Sequence, residues 1–212
     1  RFNCSVKGNG TESVGEPDRV EVLWETFNTT DAVSIGSVIS SVELDGNYVE
    51  FSTPEIFTPG NALIAVKNMT GKIIWSWHIW AADFDPYGFA DIYSSGAMMM
   101  DRNLGALNNT EGDARSFGMY YQWGRKDPFV GRGDYANDNF AVTAPADKIT
   151  YIDKDSSTDL LEYATRYPYR IIKSSTWNSK EQYWSDVKTQ YDPCPPGWRV
   201  PDRDVWNGFN SA

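Results

Sequence analysis

The chain is poor in the side chains that most catalytic and metal chemistry uses. Its 212 residues include one histidine, His78, and two cysteines, Cys4 and Cys194. Two distant thiols and one imidazole exclude the usual zinc-ligand spacings and a disulfide framework. Cys4 and Cys194 read either as one long-range bridge or as two free thiols. Any Ser-His-Asp scheme has to pass through His78, with Ser76 two residues away on the same face of a strand. In so aromatic a strand the histidine reads first as a structural residue, hydrogen-bonded locally. Positive charge is also scarce: 19 Lys+Arg stand against 29 Asp+Glu, for a net charge of −10. With no basic cluster to offset that balance, nucleic acid is a poor partner and an anionic membrane surface is disfavoured. Long apolar runs are absent, since the longest, Ile73 to Ala82, is interrupted by Ser76 and His78; direct membrane insertion by this segment is not expected. There is no signal-peptide pattern, and the first residue is Arg1; the chain reads as a mature or truncated fragment.

What is abundant is aromatic surface: nine Trp, twelve Tyr and ten Phe. Such rings give volume to a β-rich core, and some of them also suit a ligand surface, where a large apolar face with a polar tip is useful. The first eighty residues follow the two-residue alternation of antiparallel strands. Val20 to Glu25 is one expected strand. Ser41 to Leu44 and Tyr48 to Phe51 flank Asp45-Gly46, a two-residue hairpin signal that predicts positive φ at Gly46. Asn61 to Lys67 and Lys72 to Trp80 flank Asn68 to Gly71, a second hairpin. In the last strand Trp75, Trp77 and Ile79 share one face; Ile74, Ser76, His78 and Trp80 share the other. A strand apolar on both faces is expected to be central or covered on both sides. The spacing predicts an immunoglobulin-like β-sandwich over residues 1–83.

Asp83 to Gly88 is a turn-rich junction and the expected boundary. Beyond it, over residues 84–212, short ordered pieces sit between long polar loops. Tyr120 to Trp123 is expected to begin a helix, and Asp159 to Thr165 to form a short one. Gly131 to Thr150 is a loop. Asp202 follows Pro201 as the N-cap of a helix whose apolar stripe, Val205, Trp206 and Phe209, needs a cover. Since the chain stops within that helix, the domain is expected to continue past Ala212 or to be completed by another chain.

Three stretches carry a family resemblance: Met100-Asp101-Arg102-Asn103-Leu104-Gly105-Ala106, Tyr120-Tyr121-Gln122-Trp123-Gly124-Arg125-Lys126-Asp127-Pro128-Phe129, and Tyr191 to Pro201 with its Pro193-Cys194-Pro195-Pro196-Gly197-Trp198-Arg199 core. In this order they resemble the Fibrobacter-type major paralogous domain of Bacteroides-like surface proteins. Gly60 to Lys67 with Ile73 to Trp80 is similar to the module that precedes that domain in fimbrillin-family lipoproteins. Together the matches cover most of the chain outside residues 130 to 175. The resemblance implies a mainly β protein with some α: a β-sandwich followed by an incomplete C-type-lectin-like α+β domain. It marks Asp101, Arg102, Asn103, Trp123, Gly124, Arg125, Trp198, Arg199 and Pro201 as its structural signature, with Trp123 and Trp198 expected to be buried in the second core.

The resemblance implies a non-enzymatic cell-surface binding protein, outer-membrane-anchored or pilus-associated, acting as a fimbrial adhesin or ligand-display module. Its partners would be a glycan or protein ligand and other pilus subunits. One alternative is a glycan-capture lipoprotein of a nutrient-uptake system. Another is an enzyme of the formylglycine-generating type, which shares the fold but needs a second reactive cysteine late in the domain. No catalytic residue and no cofactor are expected. Asp153, Asp155, Ser157 and Asp159 alternate like the first half of a calcium loop but lack its central Gly and closing Glu. Asp134, Asn137, Asp138 and Asn139 form a second oxygen-rich cluster; both groups read first as solvated loop residues. Asp101 with Asp127, or Asp202 with Asp204, have no spacing that selects an acid/base pair, and Asp101-Arg102 and Arg125-Lys126-Asp127 read as loop-bracing pairs. Arg132-Gly133-Asp134 reads as a chance tripeptide. The Asn28 and Asn108 sequons mean little in a bacterial protein.

Overall fold

A computed structural model describes residues 1–29, 33–85, 88, 90–130, 133–134, 139–140, 150–153, 159–173 and 183–208. The protein is mainly β. Six strands build the first part: β1 (Phe2–Asn3), β2 (Arg19–Thr26), β3 (Ser41–Asp45), β4 (Tyr48–Ser52), β5 (Gly60–Lys67) and β6 (Ile73–Ala81). They form two three-stranded sheets, ordered β1-β4-β3 and β2-β5-β6, with every pairing antiparallel. The two-residue period decides what each strand buries. Along β5, Ala62, Ile64 and Val66 point into a core shared with Val22, Val38, Ile39, Val49 and Trp75, whereas Leu63 points the opposite way, into a second core. Each fully buried Ile or Leu there stabilises the fold by roughly 1.5–3 kcal/mol.

A bulge between Val22 and Trp24 lets β2 serve both cores. Val22 joins the first, and Trp24 joins Leu63, Met119, Phe129 and Val130 in the second. Glu25, buried on the same strand, accepts the backbone N–H groups of Ser37, Val38 and Ile39 at 2.8, 2.8 and 2.9 Å. One carboxylate thus satisfies three donors of the segment that enters the first core.

The hairpin at residues 41–52 is present, with Asp45 paired to Tyr48. Its central pair is therefore Gly46-Asn47, one residue later than the Asp45-Gly46 signal suggests. Gly46 has φ +57°, and Asn47 is not among the positive-φ residues. Positive φ at the first central residue alone is the type II′ arrangement. β6 is an edge strand of its sheet with both of its faces covered, the second of the two expected arrangements. Trp75, Trp77 and Ile79 pack on the first core, while Ser76, His78 and Trp80 are met by residues 105–127.

The rest is built from short pieces: β7 (Ala90–Ile92) paired with β8 (Met98–Met100), β9 (Tyr120–Tyr121) with β10 (Pro128–Phe129), and β11 (Gly133–Asp134) with β12 (Asn139–Phe140). β13 (Thr150–Asp153) and β14 (Arg170–Lys173) run parallel, linked through α1 (Leu160–Arg166). Asp159 caps α1, accepting from the N–H groups of Leu161 and Glu162 at 3.1 and 3.0 Å. Leu160 and Ala164 pack with Ile172. The helix expected from Tyr120 is instead β9 followed by a turn: Tyr120 and Tyr121 pair with Phe129 and Pro128, and Gly124 at φ +76° ends any helical path. The helix expected from Asp202 is a single 3₁₀ turn, Arg203–Trp206. Asp202 makes no side-chain cap there; its carboxylate accepts from Arg199 at 2.7 Å instead.

Candidate functional site

Two regions of the molecule concentrate polar side chains. The first is the joint between the sheet β2-β5-β6 and the segment 101–127. Asn28 and Asn61 each donate an amide N–H to the carbonyl of Gly105, both at 2.8 Å. Asn61 Oδ1 lies 2.9 Å from His78 Nε2, and the Tyr121 hydroxyl lies 3.3 Å from His78 Nδ1. A carbonyl oxygen only accepts, so Nε2 carries the proton and Nδ1 accepts from Tyr121. The relay runs Tyr121 to His78 to Asn61 to Gly105, and it requires a neutral imidazole. Burial enforces this, lowering the His78 pKa to about 4 against the smaller opposing pull of Asp127. Burial also pushes the Tyr121 hydroxyl well above its ordinary range. Trp80 closes the joint, its Nε1–H donating to the Ala106 carbonyl at 3.0 Å.

Beside this relay, Ser76 Oγ donates to Asp127 at 2.6 Å. Lys126 Nζ donates to the same carboxylate oxygen at 2.6 Å, and to the Ser76 carbonyl and hydroxyl at 2.9 and 2.6 Å. All three ammonium protons are thereby used. The ammonium also lies 4.4 Å from the Trp75 ring centroid. Burial lowers the Lys126 pKa, and Asp127 opposes the shift. This constellation holds Ser76 as a donor to a carboxylate, and His78 is bound elsewhere, so the geometry does not assemble the Ser-His-Asp relay of an acyl-transfer enzyme.

Among the signature residues, Arg125 has a bracing role in the second part. Arg125, 2% exposed, donates to the carbonyls of Ala164, Tyr167, Pro168 and Arg170. It gathers the C-terminal end of α1 and the start of β14, and burial lowers its pKa to about 10. Gln122 donates to the Ile172 carbonyl at 2.7 Å and accepts the Ile172 N–H at 3.2 Å, as a strand partner would. Asp192 accepts from Lys188 at 2.8 Å, and from the N–H groups of Cys194 and Val200 at 2.8 and 2.9 Å, which sets the path of the proline-rich loop. Both cysteines are free, and burial, aided by Asp192, pushes the Cys194 thiol up to about 12.

The second region is an open cleft of about 1240 Å³. One wall runs from β7-β8 through Asp101, Asn103 and Tyr120; the other is the loop 193–206 with Trp198 and Trp206. Asp101 and Arg102 form a two-bond ion pair at 2.6 and 2.7 Å, and Asn109 donates to Asp101 at 3.1 Å. The Arg102 guanidinium stacks 3.7 Å above the Phe84 ring. At the mouth, Phe117 is 39%, Tyr120 42% and Trp206 52% exposed. Trp206 packs against Tyr93 at 5.9 Å, and Ser95 Oγ donates to the Val205 carbonyl at 2.9 Å, so the β7-β8 hairpin holds the end of the loop. Val205 is buried by this contact; Phe209, the third member of the expected stripe, lies outside the described residues.

Several expected positions look different in three dimensions. Trp123 is 46% exposed and packs on Trp184 with ring centroids 5.0 Å apart, instead of entering the second core. Gly124 turns the chain immediately after it, and it is Phe129 and Val130 that fill that core. Trp198 is half-buried and lines the cleft. Arg199 pairs with Asp202, and Pro201 lies in the cleft wall. Asn103 donates to the Phe117 carbonyl at 3.2 Å. Of the calcium candidates, Asp153 ends β13 and Asp159 caps α1, while Asp155 and Ser157 lie outside the described residues. Asp134 and Asn139 pair across β11 and β12, and Arg132, Asn137 and Asp138 lie outside the described residues. Among the described residues, no group of three or more His, Cys, Asp or Glu side chains is placed to hold a metal ion, and no helix is long and apolar enough to cross a membrane. Asn28, a sequon residue, is buried with φ +57° and its amide committed to Gly105.

Asn28, Asn61, Gln122 and Asp192 were not legible as site residues in the sequence. An asparagine inside an otherwise apolar strand, as at Asn61, was the one available signal. No family model, no curated protein and no solved structure matches the chain.

Proposed function

We propose that the protein is a non-enzymatic binding module of a bacterial cell surface, presenting the cleft between residues 93–121 and 193–206 to a ligand. The observation that carries this reading is the division of labour between the two polar regions. His78, Ser76, Lys126 and Asp127 are committed to the joint, and the Cys194 thiol, which lines the cleft, is pushed up to about 12 by burial. Of the exposed rings among the described residues, Phe117, Tyr120 and Trp206 line the cleft, while Tyr48, Phe57 and Trp123 lie elsewhere. A broad cleft with aromatic walls and a few oriented polar groups suits binding by stacking and hydrogen bonding.

An immunoglobulin-like sandwich over residues 1–83 and a lectin-like domain over residues 84–212 are the architecture we propose, with the Gly105 joint as their interface. The two sheets sharing one core, and the separate second core, support it. From the resemblance to the Fibrobacter-type domain we propose a pilus-associated or outer-membrane-anchored location for such a module, with adhesion or ligand display as its task. Beads coated with the chain are expected to be retained on a mucin layer or an epithelial cell layer. Retention should fall at least tenfold for Tyr120→Ala with Trp206→Ala. Retention that ignores both substitutions, or no retention on either surface, overturns the proposal.

A further inference from the structure

We infer that the outer edge of β8, inside the cleft, takes an extended segment of a protein partner as a third strand of the β7-β8 sheet. This rests on the reading of the cleft as the ligand surface and assigns it a mode of recognition, main-chain pairing.

Hydrogen-bond parity comes first. β7 and β8 form a sheet of two strands. At its turn the Tyr93 N–H donates to the Ala97 carbonyl at 2.9 Å. Opposed residues of an antiparallel pair alternate between bonded and non-bonded. Ile92 stands opposite Met98 and Asp91 opposite Met99, so the next bonded pair along the ladder is Asp91 with Met99. Met98 and Met100 therefore turn their N–H and C=O groups away from β7. Among the described residues, no backbone group meets them there.

That edge lies in the cleft. Met98, Met99 and Met100 all line it, although neighbouring side chains of a strand point to opposite faces. A wall made of three consecutive residues is an edge and not a face. The edge also lacks the usual guards, which are charges and proline. β3, an edge strand of the first part, carries exposed Glu43 and Asp45. Ala97 to Met100 holds no charge and no proline.

The pattern along the edge sets the chemistry of the partner. The outward groups of Met98 and Met100 recur about every 7 Å, a spacing that another extended backbone matches with donors and acceptors in register. Ala90, Ile92, Met98 and Met100 share one face of the hairpin, and Ile92 and Met98 are 78% and 64% exposed. A third strand extends that face with every second side chain, so a segment with apolar residues at alternate positions fits it. The flexible thioethers adapt to apolar side chains of different shape. The same edge of a second copy does not reach this one, because in each copy residues 193–206 stand across the cleft from it.

The probe is a set of capped, fluorescein-labelled peptides in which Val, Ile or Tyr alternates with Thr, beside shuffled peptides of the same composition. In fluorescence anisotropy against the intact chain, alternating peptides should bind at least tenfold more tightly than shuffled ones. N-methylation of one alternate set of peptide amides should cost at least tenfold, and of the other set little. Met98→Pro deletes an outward donor without touching the Asp91–Met99 bonds, and it should weaken binding at least tenfold at an unchanged thermal midpoint. Amide exchange of the wild-type chain gives a readout that does not depend on that variant folding. With saturating peptide the Met98 and Met100 N–H groups should exchange at least tenfold more slowly, and the Met99 N–H should change less. Binding indifferent to residue order, slowing at Met99 without slowing at Met98 and Met100, or pairing of two copies through this edge overturns the inference. Peptides that do not bind, alongside bead retention that still depends on Tyr120 and Trp206, overturn strand addition but leave the binding module standing. Loss of both overturns both.

Discussion

The side-chain amide of Asn61 donates to the backbone carbonyl of Gly105 at 2.8 Å, across 44 residues of sequence. The bond joins the centre of the sheet β2-β5-β6 to the loop that follows β8. Asn28 makes the same bond from the other side, also at 2.8 Å. Two donors on one carbonyl fully satisfy a buried acceptor that would otherwise cost about 1–3 kcal/mol. The loop can present that carbonyl because Gly105 has φ +79°, a conformation that suits glycine.

Gly105→Ala is therefore expected to destabilise the protein by about 2 kcal/mol or more, read as a lower urea midpoint with an unchanged slope. Two causes add. The backbone conformation is strained for any L side chain, and the new Cβ would sit 2.3 Å from Met119 Cγ and 3.1 Å from Asn61 Oδ1. A loss below about 0.5 kcal/mol would show that neither the positive φ nor the contact with Met119 constrains this position.

Acid should weaken the same joint. The folded-state pKa of His78 is lowered to about 4, chiefly by burial, below its ordinary 6.5. Between those values the unfolded chain binds a proton that the native state refuses. The stabilisation from a neutral His78 is thus fully present above pH 6.5 and is lost as the pH falls toward 4. Its full size is at most about 3 kcal/mol. Urea midpoints measured from pH 7.5 to 4 should fall along this window, and the fall should flatten in His78→Gln. An identical pH slope in that variant would assign the effect to other groups.

The Lys126–Asp127 pair calls for a different experiment. Its side chains are 10% and 4% exposed, and the charges meet at 2.6 Å. Removing one partner leaves a buried charge without its counter-ion, so Asp127→Ala should cost about 3–5 kcal/mol. The double variant Lys126→Met with Asp127→Ala should recover part of that loss, because it removes the stranded ammonium. Additive single losses in a double-mutant cycle would mean that the two groups act separately.

Much of the first part was legible because period and turn chemistry decide it. The alternation in Asn61 to Lys67 and Ile73 to Trp80 predicted both strands, and their two-sided apolar pattern predicted cover on both faces of β6. What supplies that cover was not legible, because Asn28, Asn61 and Gly105 meet only after the chain has folded back over long separations. The helix expected from Tyr120 to Trp123 is not formed; Tyr120 and Tyr121, aromatic residues that suit a strand, pair with Phe129 and Pro128. At Trp123 the motif carried no information on which of its rings would face solvent. Among the described residues, the rings of the cleft come from four separated segments, around Tyr93, Phe117 to Tyr121, Trp184, and Trp198 and Trp206, and nothing in their spacing along the chain brings them together.

Cys194 offers the last prediction, and it separates a structural thiol from a catalytic one. A nucleophilic or redox cysteine needs a thiolate near neutral pH, which comes from a cation or helix N-terminus beside the sulfur. Here the surroundings act the other way: burial comes first and the Asp192 carboxylate second, together raising the thiol to about 12. Lys188 is bound to Asp192 and to the Cys194 carbonyl at 2.8 and 2.6 Å, and it only partly offsets the shift. At pH 8 the thiolate fraction should be on the order of one in ten thousand, against roughly a quarter for an ordinary exposed cysteine. Cys4 is fully buried and its thiol is likewise raised by burial. The native chain is therefore expected to resist iodoacetamide at pH 8, reacting at least a hundredfold more slowly than the urea-unfolded chain. Cys194→Ser should keep the wild-type fold. Rapid alkylation of Cys194 in the native chain, or oxidation of a cysteine-containing peptide that Cys194→Ser abolishes, would place this loop with the oxidising enzymes and not with the binding modules.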